Sequence, residues 1–153
     1  METDSLIIEI NKELNHFKER SLPFYYPVIK QTIEFVNEVL IRGENYSYGS
    51  AEFCEVCGNK LEEHNHEIHH IAGSKHSPIC IDICSSCHST ITKRQELWDD
   101  RWRQKDQPEN IRTSFLIQGL REIILLRGEL LHSKTIIEMS DTLNYLASSW
   151  RQS

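Results

Sequence analysis

Residues 54–88 read CEVCGNKLEEHNHEIHHIAGSKHSPICIDICSSCH, and they contain all five cysteines of the chain and six of its eight histidines. Cysteine and histidine are the side chains that bind zinc most often in proteins. The chain has 153 residues, enough for one domain with flanking extensions. A concentration of this kind predicts a metal-stabilised core, with the remaining residues built around it.

Two CxxC pairs bracket this stretch. Cys54 and Cys57 form the first pair, Cys84 and Cys87 form the second, and 26 residues separate them. Thiolates two residues apart on a tight turn both reach one zinc ion at about 2.3 Å, and two such turns complete a tetrahedron. Gly58, directly after Cys57, suits such a turn. Because the protein fills all four positions, we expect a structural zinc site rather than a catalytic one.

The chain carries no signal for a membrane or a secretory pathway. It has no run of 18 apolar residues, and its acidic first residues do not resemble a signal peptide. We therefore expect a cytoplasmic protein without membrane contacts, a setting in which disulfides are rare. Cys80 is the cysteine outside the CxxC pairs. Because it alternates with Ile79 and Ile81, we expect it to be an ordinary strand residue.

Apolar residues recur at helical spacing on both sides of the cysteine-rich core. The predicted helices cover residues 5–17, 28–41 (ending at Gly43), 89–105, about 108–131 and 135–150. With strands expected on either side of the SKHSP loop, this pattern predicts an α+β fold. We expect three parts: an N-terminal helical extension at 1–50, a core at 51–105 and a C-terminal helical region at 106–153.

The order of the motifs resembles that of the HNH nucleases, the ββα-metal group. The similar segments are CxxCG at 54–58, HHIAG at 69–73, CSSCH at 84–88 and ITKRQ at 91–95. The resemblance covers residues 54 to about 98, while the flanking helices match no family. It implies a small, treble-clef-like ββα core and a metal-dependent endonuclease that hydrolyses phosphodiester bonds of DNA.

The resemblance also implies a role for each histidine of the motif. His70 would be the general base, and His69 and His88 would bind a catalytic divalent ion, either magnesium, manganese or zinc. These residue types suit the reaction, because an imidazole can take a proton from water near neutral pH and a cation offsets transition-state charge. Adjacent strand residues point to opposite faces. His69 and His70 can therefore share a site only where the strand ends, and residues 72–74 supply that break.

The sequence departs from the HNH pattern at two positions. Ile79 stands where the family has its middle Asn, nine residues before His88, and Thr92 stands where some members have a further metal-binding histidine. His76 is the candidate replacement for the Asn, either by tethering its loop or by facing substrate phosphate. Glu67 is expected either to orient a histidine or to be solvated.

Two other histidines of the stretch, His64 and His66, are not part of the HNH-like motif. His64 and His66 lie in the polar segment EEHNHE, which reads as the tip of a hairpin. We expect both side chains to be solvated there. They are therefore left out of the candidate metal sites.

Basic residues follow the cysteine and histidine cluster, although the chain as a whole has a net charge of −6. Lys93, Arg94, Arg101 and Lys105 are the candidates for phosphate contacts, and the last three would share one face of the predicted helix 89–105. Such contacts position nucleic acid without reading its sequence. The alternative is a solvated face with ion pairs inside the helix.

The acidic charge also bears on partners, because Lys and Arg supply most of the affinity for nucleic acid. We expect weak sequence selectivity and a protein partner or a second copy of the chain, with the aromatic PFYYP segment at 23–27 and Trp150 as candidate anchors. Small HNH proteins occur in restriction, in anti-phage defence beside an ATPase, in phage packaging and in mobile introns. Two alternatives stay open: a catalytically inactive zinc-stapled binding module, and a zinc ribbon that only binds DNA.

Overall fold

The computed structural model describes residues 3–42 and 46–153, and the expected helix end at Gly43 lies outside them. Five helices and one two-stranded antiparallel sheet make this part of the chain an α+β fold, as predicted. The elements in chain order are α1 (Thr3–Glu19), α2 (Tyr26–Ile41), β1 (His66–His70), β2 (Cys80–Cys84), α3 (Ser85–Gln95), α4 (Glu109–Leu130) and α5 (Lys134–Gln152). Short 3-10 turns lie at Pro23–Tyr25 and Asp100–Arg103.

The flanking helices pack on one another within the chain. α5 contacts α1, α2 and α4, and α1 also contacts α2. The buried residues of α1 are Leu6, Ile10 and Leu14, at the spacing expected for an amphipathic helix. α4 is apolar around most of its circumference and is therefore the central helix. The last helix also closes on the first, since the Trp150 indole donates to Glu9 Oε1 at 3.2 Å.

A single apolar cluster joins these helices to the central hairpin. Its members come from the N-terminal helices, from the hairpin and from α4 and α5. All three predicted parts, divided at residues 50 and 105, pack on this shared core. The structure therefore does not separate them, and the division stays a prediction. In the part of the chain described, no helix is both long and apolar enough to cross a bilayer.

The hairpin of β1 and β2 has its outer β2 edge covered by side chains. In the register of the pair, His69 lies opposite Ile81. The outward N–H groups of β2 donate to side-chain acceptors from residues 48–55. These bonds are Cys80 N to Tyr48 Oη at 3.2 Å, Asp82 N to Glu55 Oε2 at 2.7 Å and Cys84 N to Cys54 Sγ at 3.3 Å. A covered edge cannot pair with another strand, so the hairpin is closed on this side.

Glu55 also binds the end of α2. The buried Arg42 guanidinium pairs with both carboxylate oxygens of Glu55, with Nη1 to Oε2 at 2.8 Å. A second carboxylate, Glu38, lies 3.1 Å from Arg42. The pair therefore ties the N-terminal helices to the segment that covers β2.

The predicted helix over residues 89–105 is wrong at both ends. α3 begins at Ser85 and ends at Gln95, and the chain then turns. Asp99 begins a separate 3-10 turn by accepting a hydrogen bond from Arg101 N at 3.0 Å. The turn lets Trp98 stack on Phe115 of α4, with ring centroids 5.9 Å apart. The apolar spacing continues past Gln95 because Trp98 and Trp102 both pack against the core. Neither of them lies on α3, which ends at Gln95.

The backbone of the loop that follows β1 is contacted from three directions, by two side chains and by α4. Gln95 Nε2 donates to Ile71 O at 3.4 Å, and Trp102 Nε1 donates to Ala72 O at 3.0 Å. On the third side, α4 presents Gly119, where an added Cβ would lie 1.9 Å from Ile71 O. The loop directly after His70 therefore has a fixed course.

Candidate metal centres

The four cysteines of the CxxC pairs converge on one point. The Sγ atoms of Cys54, Cys57, Cys84 and Cys87 all lie within 4.8 Å of one another. Cys57 Sγ and Cys84 Sγ are 3.8 Å apart, which is about the edge of a tetrahedron with zinc–sulfur bonds of about 2.3 Å. Across residues 3–42 and 46–153, no other set of three or more His, Cys, Asp or Glu side chains brings its ligand atoms this close.

Backbone N–H groups surround the sulfurs, as they do around bound thiolates. Val56 N and Cys84 N donate to Cys54 Sγ at 3.4 and 3.3 Å. The hydrogen bond from Cys87 and these backbone donors lower the pKa of the Cys54 thiol to about 4. Gly58, with a φ of +77°, completes the turn after Cys57. This site can hold a metal ion, and its four-sulfur donor set is compatible with structural zinc.

The cysteine site also fixes the start of α3. Cys84 ends β2, α3 begins at Ser85, and Cys87 lies in its first turn. His88 is the next residue of this helix. A metal held by Cys84 and Cys87 would therefore fix the position from which His88 projects.

His69 and His88 face each other between β1 and α3. Their ring centroids are 5.2 Å apart. Burial, and then the neighbouring imidazoles of His88 and His70, lower the pKa of His69 to about 3. His69 is therefore neutral, and its buried Nε2 has no hydrogen-bond partner. A buried unpaired nitrogen needs an explanation, and a neutral imidazole is the form that binds a metal. His69 is thus in the protonation state that a metal ligand needs.

Carboxylates lie against two histidines of the hairpin. Glu67 Oε2 is 3.2 Å from His88 Nδ1, so of the two expectations for Glu67 the structure has the one in which it contacts a histidine. His66 Nε2 is 2.6 Å from Oδ1 of the fully buried Asp82. The expectation that His66 is a solvated tip residue is therefore wrong, because it lies on β1 and its pairing with Asp82 holds it there. His64 is exposed, as expected.

His70 is the last residue of β1 and its side chain is exposed. Strand alternation directs it away from the buried side that His69 occupies. The break after it begins at once, since Gly73 N donates to His70 O at 3.1 Å. The structure thus brings His69 and His88 together and leaves His70 at the open end of the strand.

His76 is buried rather than open to a substrate. Its Nε2 lies 2.6 Å from Trp102 O, and its ring packs against Phe115 at 5.0 Å between centroids. Because a carbonyl oxygen only accepts, His76 Nε2 is the donor. The expected alternative, a contact with substrate phosphate, is wrong because the ring is covered. His76 instead ties its loop to the turn that contains Trp102.

The predicted basic face on a helix through residue 105 is also wrong, because α3 ends at Gln95. Arg94 Nη2 pairs with Glu129 Oε1 of α4 at 2.8 Å, and Arg101 Nη2 pairs with Asp99 Oδ2 at 2.8 Å. Lys93 and Lys105 are exposed. Within the described residues, neither lysine has an ion-pair partner. Arg94 therefore links α3 to α4, Arg101 pairs within its own turn, and of the four candidates the two lysines remain open.

Several residues that support these sites were not predicted. Asp82 is one, and its signal was a single acid inside the apolar strand sequence ICIDIC at 79–84. Gly119 is another, and no local pattern marks it, since it contacts Ile71 from a distant part of the chain. Helical spacing placed Gln95 on a buried face, but its bond to Ile71 O was not predicted.

No protein-family model matches the sequence, and no curated protein or solved structure matches the chain.

Proposed function

We propose that the chain is a metal-dependent endonuclease of the HNH type that hydrolyses phosphodiester bonds of DNA. In this proposal the four cysteines bind structural zinc, and His69 and His88 bind a catalytic divalent ion. The observation that carries it is the neutral, buried and unpaired His69 facing His88, on a helix whose start is set by the cysteine site. A site with only two protein ligands leaves positions open, as catalysis requires.

Each histidine has a distinct task in this proposal. When bound, the divalent ion would supply positive charge against the transition state and the departing 3′ oxygen. His69 and His88 hold it from the strand and the helix. His70, exposed at the strand end, takes the proton from water, which requires its side chain to turn around the end of β1 toward the side that His69 occupies. His76 is a positioning residue, because its bond to Trp102 O keeps the loop after His70 in place.

The nucleic-acid contacts in the proposal are few. Lys93 and Lys105 are exposed, and Arg94 and Arg101 would have to release Glu129 and Asp99 to reach a phosphate. Each phosphate contact contributes a slope of about 0.9 in the dependence of log affinity on log salt. So few contacts give weak binding at physiological salt, which supports low sequence selectivity and a need for assembly.

The test of the proposal is a plasmid-cleavage assay with manganese or magnesium. His70→Ala should reduce the cleavage rate about 10²–10⁴-fold, the usual contribution of a general base, while metal affinity stays near the wild-type value. His88→Ala should weaken metal binding in calorimetry as well as cleavage, because it removes a ligand. His64→Ala, which changes an exposed histidine outside the site, is the matched control and should keep both properties.

Two results would contradict these assignments. Equal losses of metal affinity in the His70→Ala and His88→Ala variants would show that base and ligand are not distinct. Cleavage that survives His70→Ala would exclude His70 as the base. Melting curves for each variant separate a loss of chemistry from a loss of fold.

A second function is favoured by the paired arginines. Arg94 and Arg101 are engaged with carboxylates of their own chain, as suits a zinc-stapled binding module without catalysis. In that case the same assay gives no cleavage by the wild-type protein under any divalent ion. Wild-type cleavage that His70→Ala removes excludes this module.

We also propose that a second copy of the chain assembles on the segment between α1 and α2. Phe24 is 85% exposed and Leu22 is 68% exposed. Beside them is a cavity of about 340 Å³ whose lining includes Tyr25, Arg20 and Glu138. An isologous pairing places the same patch on both copies, so Phe24 of one copy could enter this cavity in the other, with Arg20 opposite Glu138.

Phe24→Asp is therefore expected to convert a dimer into a monomer that stays folded, because the side chain is 85% exposed and contributes to assembly rather than to the core. Light scattering coupled to size-exclusion chromatography measures the mass. Tyr145→Asp changes another exposed aromatic residue, on α5, and should leave the dimer intact. A wild-type protein that is monomeric at high concentration contradicts self-association and leaves a different protein, such as an ATPase, as the expected partner.

A further inference from the structure

We infer that Glu67 sets the tautomer of His88 and thereby selects Nε2 as its metal-binding nitrogen. The inference deepens the proposed function and rests on the assignment of His69 and His88 as metal ligands. Glu67 lies on β1 two residues before His69, so both side chains leave the strand on the same side, toward α3. There Glu67 Oε2 lies 3.2 Å from His88 Nδ1.

The chemistry of this contact decides which nitrogen carries the proton. The two groups lie at an ion-pair distance and both are partly exposed. Because an ionised carboxylate only accepts hydrogen bonds, it favours hydrogen on the imidazole nitrogen that faces it. A neutral His88 then has its proton on Nδ1 and its lone pair on Nε2. Metals bind the nitrogen with the lone pair, and a carboxylate behind a metal-binding histidine fixes both its tautomer and its ring orientation. Without Glu67, a neutral histidine side chain favours the proton on Nε2, which blocks that nitrogen.

The position of Glu67 also indicates that it contacts the proposed ligand His88 without binding the metal itself. The three groups Glu67, His69 and His88 do not bring their ligand atoms within 4.8 Å of one another, whereas the four cysteines do. Glu67 is thus placed to hold His88 rather than to share an ion with both histidines. A site of two neutral imidazoles favours later transition metals such as zinc or cobalt over magnesium, which prefers oxygen ligands.

The hairpin contains a second histidine, His66, that faces a carboxylate through its other ring nitrogen and so serves as an internal reference. His66 faces Asp82 with Nε2, at 2.6 Å. The same reasoning gives His66 a proton on Nε2 and a lone pair on Nδ1. The two histidines should therefore show opposite tautomers in one protein under one set of conditions.

The experiment is long-range ¹H–¹⁵N correlation NMR of the zinc-loaded chain, at a pH above the imidazole titration range and without a second metal. The wild-type protein should show His88 protonated on Nδ1 and His66 protonated on Nε2. Glu67→Ala should move His88 toward the Nε2-protonated form and leave His66 unchanged. Glu67→Gln keeps a carbonyl oxygen that can accept the Nδ1–H bond, so it should restore the wild-type tautomer. Glu63→Ala, at an exposed glutamate of the preceding loop, is the matched control.

Calorimetric titration with Mn²⁺ or Co²⁺ provides the second measurement. Glu67→Ala should weaken binding about 10–100-fold, the usual cost of losing a carboxylate behind a metal ligand, and Glu67→Gln should recover most of the affinity. A wild-type His88 protonated on Nε2, or a tautomer that ignores Glu67→Ala, overturns the inference while divalent binding and cleavage by the wild type leave the proposed nuclease standing. A wild-type chain that binds no divalent ion beyond its zinc overturns the nuclease proposal and the metal-binding part of the inference together.

Discussion

Replacing Cys84 with serine is expected to remove the metal from the four-cysteine site and to unfold the hairpin core. Cys84 supplies one of four converging sulfurs and ends β2 at the point where α3 begins. Structural zinc contributes about 10–16 kcal/mol to folding in small zinc domains at neutral pH, whereas a whole domain is stable by only about 5–15 kcal/mol. The loss of one ligand therefore threatens the entire core rather than a single contact.

The measurements are metal content and thermal unfolding, and the chain contains its own control. Cys80→Ser changes a buried cysteine only four residues away, whose thiol donates to Pro78 O at 3.3 Å and lies outside the site. That variant should keep one zinc per chain and melt near the wild-type temperature. A Cys84→Ser protein that retains full zinc and an unchanged melting temperature would contradict the site.

Gly119→Ala is the second change with a large expected effect, and its sign is opposite to that of an ordinary helix substitution. Alanine in place of glycine normally stabilises a helix by about 1 kcal/mol. Here the new Cβ would lie 1.9 Å from Ile71 O and 2.5 Å from Ile71 C. Both are backbone atoms, so α4 or the loop must move. We expect a loss of about 3 kcal/mol, typical of overpacking in a core.

Urea denaturation measures this loss. Ile71 directly follows His70, so, under the proposed function, displacement of the loop should also reduce DNA cleavage by the folded fraction. Arg112→Ala, on the exposed side of the same helix, should change stability by less than about 0.5 kcal/mol. A Gly119→Ala protein that is more stable than the wild type would show that α4 does not press on this loop.

The parts of the fold that the sequence predicted are those with local signals. Helical spacing placed α1, α2 and α5 to within a few residues, because each buries a continuous stripe. α4 was placed as closely, although it is buried on most sides. The cysteine site followed from the CxxC pairs, whose short spacing already fixes two sulfurs on one turn. The same reasoning failed between Gln95 and Trp102, where burial continued at helical spacing across a turn.

The contacts that could not be predicted join residues far apart in the chain. Arg94 and Glu129 are 35 positions apart, and their pairing changes Arg94 from a candidate phosphate contact into a link between α3 and α4. His66 was misplaced because the polar segment around it resembles a hairpin tip, while its partner Asp82 lies across the sheet. In both cases the side chain's neighbour in space, rather than its neighbours in sequence, decides its role.

The central position of α4 has a consequence for the timing of synthesis. Residues 54–88, which carry the candidate metal ligands, leave the ribosome before α4 exists. Until then three contacts are missing: the packing of the loop after His70 against Gly119, the ring contact of His76 with Phe115, and the ion pair of Arg94 with Glu129. Domains generally fold as units during translation. A nascent chain would therefore carry an unfinished site, and the candidate metal ligands would reach their final positions only after α4 has been made.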